Sequence, residues 1–178
     1  AQAGWAPDAL RALWLATGHA LAALGIDVDF APVVDLDDGP PVNAIGPRSY
    51  GTDPHAVGRC GLTVLEGLAA AGVRGCLKHF PGLGRTDRDT HRSLAVSACS
   101  EAELWSTHAE PFRRLATLAP MVMTAHAHYP AVDPGEPLPA TFSPNLVRGW
   151  LRRRLGFAGT TVSDDLENTR YHTFEVTI

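Results

Sequence analysis

The sequence predicts an α/β fold of the (β/α)8 TIM-barrel type, present only in part, and three observations carry that expectation. Four short apolar runs alternate with amphipathic helical segments, which is the pattern of β-α units around a parallel sheet. Polar residues able to do chemistry follow the ends of those runs, where such folds place their active sites. The chain has 178 residues, whereas a closed eight-stranded barrel typically needs about 250. Four strands do not close such a barrel, so the chain is expected to be part of one.

Pro7 and Asp8 precede Leu10, Leu13, Trp14, Leu21 and Leu24 at three-and-four spacing, predicting an amphipathic helix that stops at Gly25. The run Ile26 to Val34 is the first expected strand, and Asp35 follows it. Asp53 and Pro54 have the form of an N-cap and first helical residue, opening a second helix through Val57, Leu62, Leu65 and Leu68 to Gly72. Val73 to Leu77 is the second strand, ahead of Lys78 and His79. Ser100 and Glu103 form a capping-box pattern for a third helix through about Leu118. Ala119 to Thr124 is the third strand, followed by His126 and His128. Ser143 with Pro144 starts a fourth helix that stops at Gly156, and Ala158 to Ser163 is the fourth strand, ahead of Asp164 and Asp165. The stretches Asp35 to Gly51 and Phe80 to Ala98, rich in Gly, Pro, Asp and Arg, are candidate active-site loops. One partial catalytic domain over 1–178 is expected, with 167–178 as an atypical tail.

Hydrophobic residues make up 45% of the chain and charged residues 19%, as in a globular domain. A formal net charge of -4 argues against a nucleic-acid partner. No apolar run approaches the roughly 20 residues of a membrane span. Cys60, Cys76 and Cys99 are odd in number and widely spaced, so they suggest thiols in a reducing compartment, not a disulfide framework or a cysteine metal site. No basic-then-apolar leader pattern opens the chain.

Three groupings could carry chemistry. Asp89 and His91 lie two apart in the loop RTDRDTHRS, outside any apolar period; a carboxylate beside an imidazole favours the imidazolium and orients the ring, as a general acid/base near neutral pH requires. Taken alone, the pair reads first as a solvated polar loop. Asp164 and Asp165 end an apolar run, where alternation sends one side chain towards the barrel mouth and the other towards a helix cap. His126 and His128 form an HxH whose alternation places both rings on one face, so a rival reading is a zinc-type hydrolase centre built from His79, His126, His128 and Asp164.

The run KHFPGLGRTDRDTH, Lys78 to His91, closely resembles the signature of the β-N-acetylglucosaminidases of glycoside hydrolase family 3, KHFPGHG, four residues, then D[ST]H. Further segments fit in order: DFAPVVDL (29–36), IGPRSYGTDP (45–54), VMTAHAHYP (122–130) and LRRRLGFAGTTVSDDL (151–166). The resemblance therefore covers about residues 8–166. It implies a retaining exo-β-N-acetylglucosaminidase with no cofactor and no metal, acting on muropeptides in cytoplasmic cell-wall recycling. By position it implies Asp164 as nucleophile, His91 as general acid/base, Asp89 as the partner of His91, and Arg48, Lys78 and His79 as holders of sugar hydroxyls. Leu83 replaces the second His of KHFPGHG, SDDLEN lacks the Met that commonly follows, and by the resemblance the family's DxEGGRVQR segment, the first (N-terminal) strands and the end of the barrel are missing. These departures leave a third reading, an inactive fragment of the glycosidase.

Overall fold

In a computed structural model of the chain, residues 6–39, 45–90 and 93–165 are described. His91 and the expected tail at 167–178 lie outside them. The chain runs α1 (Pro7–Ala23), β1 (Val28–Asp29), α2 (Pro54–Ala70), β2 (Arg74–Phe80), β3 (Ala95–Val96), α3 (Glu101–Glu103), α4 (Glu110–Leu115), β4 (Met121–Thr124), β5 (Ala127–His128) and β6 (Thr160–Ser163). Leu104–His108 and Asn145–Arg154 are π-helical. Four strands form a parallel sheet in the order β1-β2-β4-β6. Its helical crossovers make it a segment of a (β/α)8 barrel, with β1 and β6 as its edges among the described residues.

The expected helix signals act as local chemistry dictates. The Asp53 carboxylate accepts from the His55 N–H at 3.0 Å, and the Ser100 hydroxyl accepts from the Glu103 N–H at 3.2 Å. Gly25 and Gly72 stand just beyond α1 and α2 with φ of 76° and 82°, a conformation that side chains with a Cβ disfavour. The two helices pack through small residues: a Cβ at Gly67 would lie 2.9 Å from Trp14 Cβ. On its other side α2 covers β2, burying Leu65 and Leu68.

Three expectations need correction. The first strand, expected over Ile26 to Val34, is regular only at Val28–Asp29; it resumes as a single parallel bridge, Val33 to Lys78, after the cis Ala31–Pro32 peptide. The second strand continues through Lys78 and His79 to Phe80, so these residues lie within it and not beyond it. The third helix is not one continuous α-helix: the Ala109 N–H bonds to Leu104 O at 2.8 Å, an i→i+5 bond that widens the turn.

The core lies between sheet and helices, around Leu36, Ile45, Leu77, Phe80, Phe112, Tyr129, Leu146 and Leu151, all essentially inaccessible. Each such side chain contributes about 1.5–3 kcal/mol on burial. Phe80 and Phe112 meet edge to face at 5.4 Å between centroids. Ile26 and Phe30, flanking the edge strand β1, remain exposed. Among the described residues no helix is long and apolar enough to cross a membrane.

Candidate active site

The carboxyl ends of β2, β4 and β6 converge because parallel pairing aligns them. Thr124 of β4 lies opposite Phe80 of β2 and Ser163 of β6. The β2–β4 register shifts between Leu77 and Phe80, a bulge that re-aims the residues it contains. Lys78 and His79 are those residues. Asp164 is the first residue past β6 and so stands at the rim of the sheet.

The centre of the cluster is Asp35, which is fully buried. Its carboxylate accepts from the His79 N–H at 3.1 and 3.2 Å, from the Leu83 N–H at 2.8 Å, and from the His79 ring at Nδ1 at 2.7 Å. Burial works against ionisation, yet the His79 ring and the amide donors outweigh it and hold the Asp35 carboxyl below the usual carboxylate range. An ionised carboxylate only accepts, so the network assigns the His79 proton to Nδ1. Nε2 then faces Asp164, 3.8 Å from Oδ2. Asp164 also accepts from the Asp165 N–H at 2.8 Å. Asp165 itself is exposed.

Asp35 is a strand-end carboxylate in the sequence and is not among the expected site residues. Its partner lies 44 positions away, and no local pattern reports such a pairing. The structure also accounts for Leu83: its backbone N–H binds Asp35 while its side chain is buried in the core. At this position the main chain does the work that Asp35 requires.

The remaining candidates are placed as follows. Lys78 is half-buried, and its ammonium interacts with Asp29, opposing the rise that burial imposes on the Asp29 carboxyl. Arg48 is exposed at the end of the 3-10 turn Gly46–Arg48. That turn is tied to the site because the Ser49 hydroxyl donates to Asp35 O at 2.7 Å. Asp89 is half-buried in the long loop, two residues before His91, whose placement lies outside the described residues. The base of the loop is well held. The Asp87 N–H donates to Val96 O at 3.1 Å, the Val96 N–H donates to the Asp87 carboxylate at 2.8 Å, and the Tyr129 hydroxyl donates to Gly82 O at 2.9 Å.

No continuous strand runs through the HxH pair. β4 ends at Thr124 and β5 starts at Ala127, so the strand alternation expected to align the two rings is broken at His126. Burial pushes the His126 imidazole down in pKa against the opposing charges of Asp164 and Asp165. His128 instead lies with Nδ1 3.1 Å from Leu138 O and 3.2 Å from Leu138 N. The four residues His79, His126, His128 and Asp164 therefore do not converge on one point.

A family model described as the glycosyl hydrolase family 3 N terminal domain matches residues 1–175. A beta-hexosaminidase of Bordetella avium (strain 197N) is 40% identical over 169 residues, which are 91% of this chain and 47% of that protein. The structure matches a glycoside hydrolase family 3 beta-N-acetylglucosaminidase from Paenibacillus sp. str. FPU-7 with a TM-score of 0.86 at 40% identity, covering 93% of this chain and 31% of that one. It matches NagZ from Neisseria gonorrhoeae in complex with N-trifluoroacetyl-D-glucosamine with a TM-score of 0.83 at 40% identity, covering 90% and 46%. The chain thus spans about half the length of the curated relatives it matches. Sheet topology, ordered motifs and the extent of these matches agree, and the chain belongs to glycosyl hydrolase family 3, within its N-terminal domain.

Proposed function

We propose that this chain carries the catalytic residues of a retaining exo-β-N-acetylglucosaminidase. The observation that carries the reading is the buried Asp35–His79 pair, which holds His79 Nε2 3.8 Å from the Asp164 carboxylate at the rim of the sheet. A sugar attached to Asp164 through its anomeric carbon would bring a ring hydroxyl within reach of Nε2. The same geometry therefore serves a nucleophile and a hydroxyl-binding imidazole.

In this scheme an Asp164 oxygen attacks the anomeric carbon while the His91 imidazolium gives its proton to the departing oxygen. The glycosyl ester on Asp164 is then hydrolysed by a water that passes its proton to the neutral His91 ring. Two displacements at one carbon retain its configuration. Asp89 orients His91 and favours its protonated form before the first step. Arg48 and Lys78, on the adjoining turn and the bulged strand, bind sugar hydroxyls beside His79.

Terminal N-acetylglucosamine is the substrate unit we assign, supported by 40% identity to a protein named beta-hexosaminidase. Muropeptides from the cell wall, processed in the cytoplasm, are the finer assignment, and it rests on the motif resemblance together with three free cysteines. The single partial catalytic domain expected from the sequence remains our reading of the chain's organisation. The test is release of an aryl alcohol from an aryl β-N-acetylglucosaminide by the protein and by Asp164→Ala. Release that disappears in the variant is expected. Equal release by both would overturn the role of Asp164, and no release by the folded protein would overturn the activity.

A further inference from the structure

Behind the candidate active site, a second group of side chains converges where the long loop meets the π-helical turn. Cys99 precedes α3, Glu103 ends it, and His108 ends the π-helical turn. Their ligand atoms, one thiol, one carboxylate oxygen and one ring nitrogen, all lie within 4.8 Å of one another. In a regular α-helix, residues five apart point about 140° away from each other at 3.6 residues per turn. The i→i+5 bond from the Ala109 N–H to Leu104 O widens the turn and brings Glu103 and His108 to one side.

His108 supplies the independent observation. It is 1% exposed, and among the described residues neither of its ring nitrogens has a hydrogen-bond partner. Nε2 is 3.7 Å from the Asp38 carboxylate, beyond hydrogen-bond reach. Asp38 Oδ1 is also buried without a hydrogen-bond partner. Buried polar groups are rarely left so, and a cation held with Cys99 and Glu103 would satisfy a ring nitrogen of His108. The loop packs closely against this histidine: a Cβ at Gly82 would fall 2.8 Å from His108 Cβ.

We propose that Cys99, Glu103 and His108 form a binding site for a divalent cation of the zinc class, beside the Asp38 carboxylate. Thiolate, imidazole and carboxylate together select a borderline-soft, four-coordinate ion over magnesium or calcium. Burial outweighs the charges of Asp38 and Glu103 to keep the imidazole of His108 neutral, with the Arg85 guanidinium acting in the same direction and Asp35 against it. A neutral ring is ready to donate a lone pair. Burial raises the Cys99 thiol, beside the Ser97 hydroxyl, Glu103, Arg85 and Asp38, so it holds its proton until a cation arrives. Binding forms a sulfur–metal bond and releases that proton to solvent. Arg85, 3.2 Å from Asp38 and 4.0 Å from Glu103, is half-exposed, so its guanidinium can keep Asp38 while the cation takes over Glu103. An ion here joins the base of the loop bearing Asp89 and His91 to the helix behind it.

The test is titration of the reduced, metal-stripped protein with cobalt(II), followed by displacement with zinc. The wild type is expected to bind one cobalt with a thiolate-to-cobalt charge-transfer band in the near ultraviolet, and to release a proton on binding. Cys99→Ser should abolish the band, and both it and His108→Gln should weaken zinc binding by at least about tenfold, the lower end of what loss of an outer-sphere partner costs. Asp164→Ala should leave the band and affinity unchanged. Absence of the band in the wild type would overturn the proposal. So would a band that survives in Cys99→Ser, which would assign the ion to Cys60 or Cys76, or a site lost in Asp164→Ala.

Discussion

Replacing Asp35 by alanine removes the one acceptor shared by three donors, the His79 N–H, the His79 Nδ1–H and the Leu83 N–H. All three lie in a part of the molecule closed to water, with Asp35 at 0% and His79 at 3% exposure. A hydrogen bond to a charged acceptor contributes about 1.5–3 kcal/mol, so losing the acceptor of all three donors removes a large share of the roughly 5–15 kcal/mol that stabilises a domain. Asp35→Asn separates charge from shape, since it retains one oxygen for the Leu83 N–H but presents no anion to the imidazole. It should lose about 1.5–3 kcal/mol, the range for a hydrogen bond to a charged group. The assay is urea unfolding followed by circular dichroism, comparing midpoints at unchanged slope.

The pH dependence provides an internal check. Because the folded-state pKa of Asp35 is lowered, its contribution is complete above the unfolded value of about 3.9. It is lost as pH falls through the lower folded value. The stability gap between wild type and Asp35→Asn should therefore narrow on strong acidification. A loss below about 0.5 kcal/mol in Asp35→Asn, less than an ordinary net hydrogen bond, would refute the argument that this carboxylate anchors the site. So would a gap that widens as the acid range is entered.

Two further outcomes follow from the same geometry. His91→Ala should slow cleavage of substrates with poor leaving groups far more than cleavage of activated aryl glycosides, which need little protonation; equal losses in kcat/KM would refute the acid role. Gly84→Ala would put a methyl group 2.3 Å from Leu36 O, a backbone atom with little freedom to move. It should cost about 1–3 kcal/mol in thermal unfolding and lower activity by shifting the adjoining Leu83 amide, and an unchanged Tm would contradict the close approach.

How much of this molecule was legible in advance depends on the range of the interaction concerned. The capping roles of Asp53 and Ser100 join residues only two or three apart, and the structure reproduces both. The end of the last apolar run was equally readable, and Asp164 is found at the rim of the sheet as expected, whereas β2 runs three residues past its apolar run to Phe80. The HxH expectation failed at one break between β4 and β5, since alternation aligns side chains only while a strand continues.

The sequence by itself determined the alternation of strands and helices, the helix ends, and the residue types available at the sheet rim. These follow from hydrophobic period, capping and turn chemistry, all of which act over a few residues. Only the tertiary structure decided that Asp35 would meet His79 across 44 positions, that Leu83 would contribute its amide and not its side chain, and that Cys99, Glu103 and His108 would share one corner. Those outcomes depend on strand register and on a widened helical turn. Both are set by the packing of the whole core, which no short window of sequence contains.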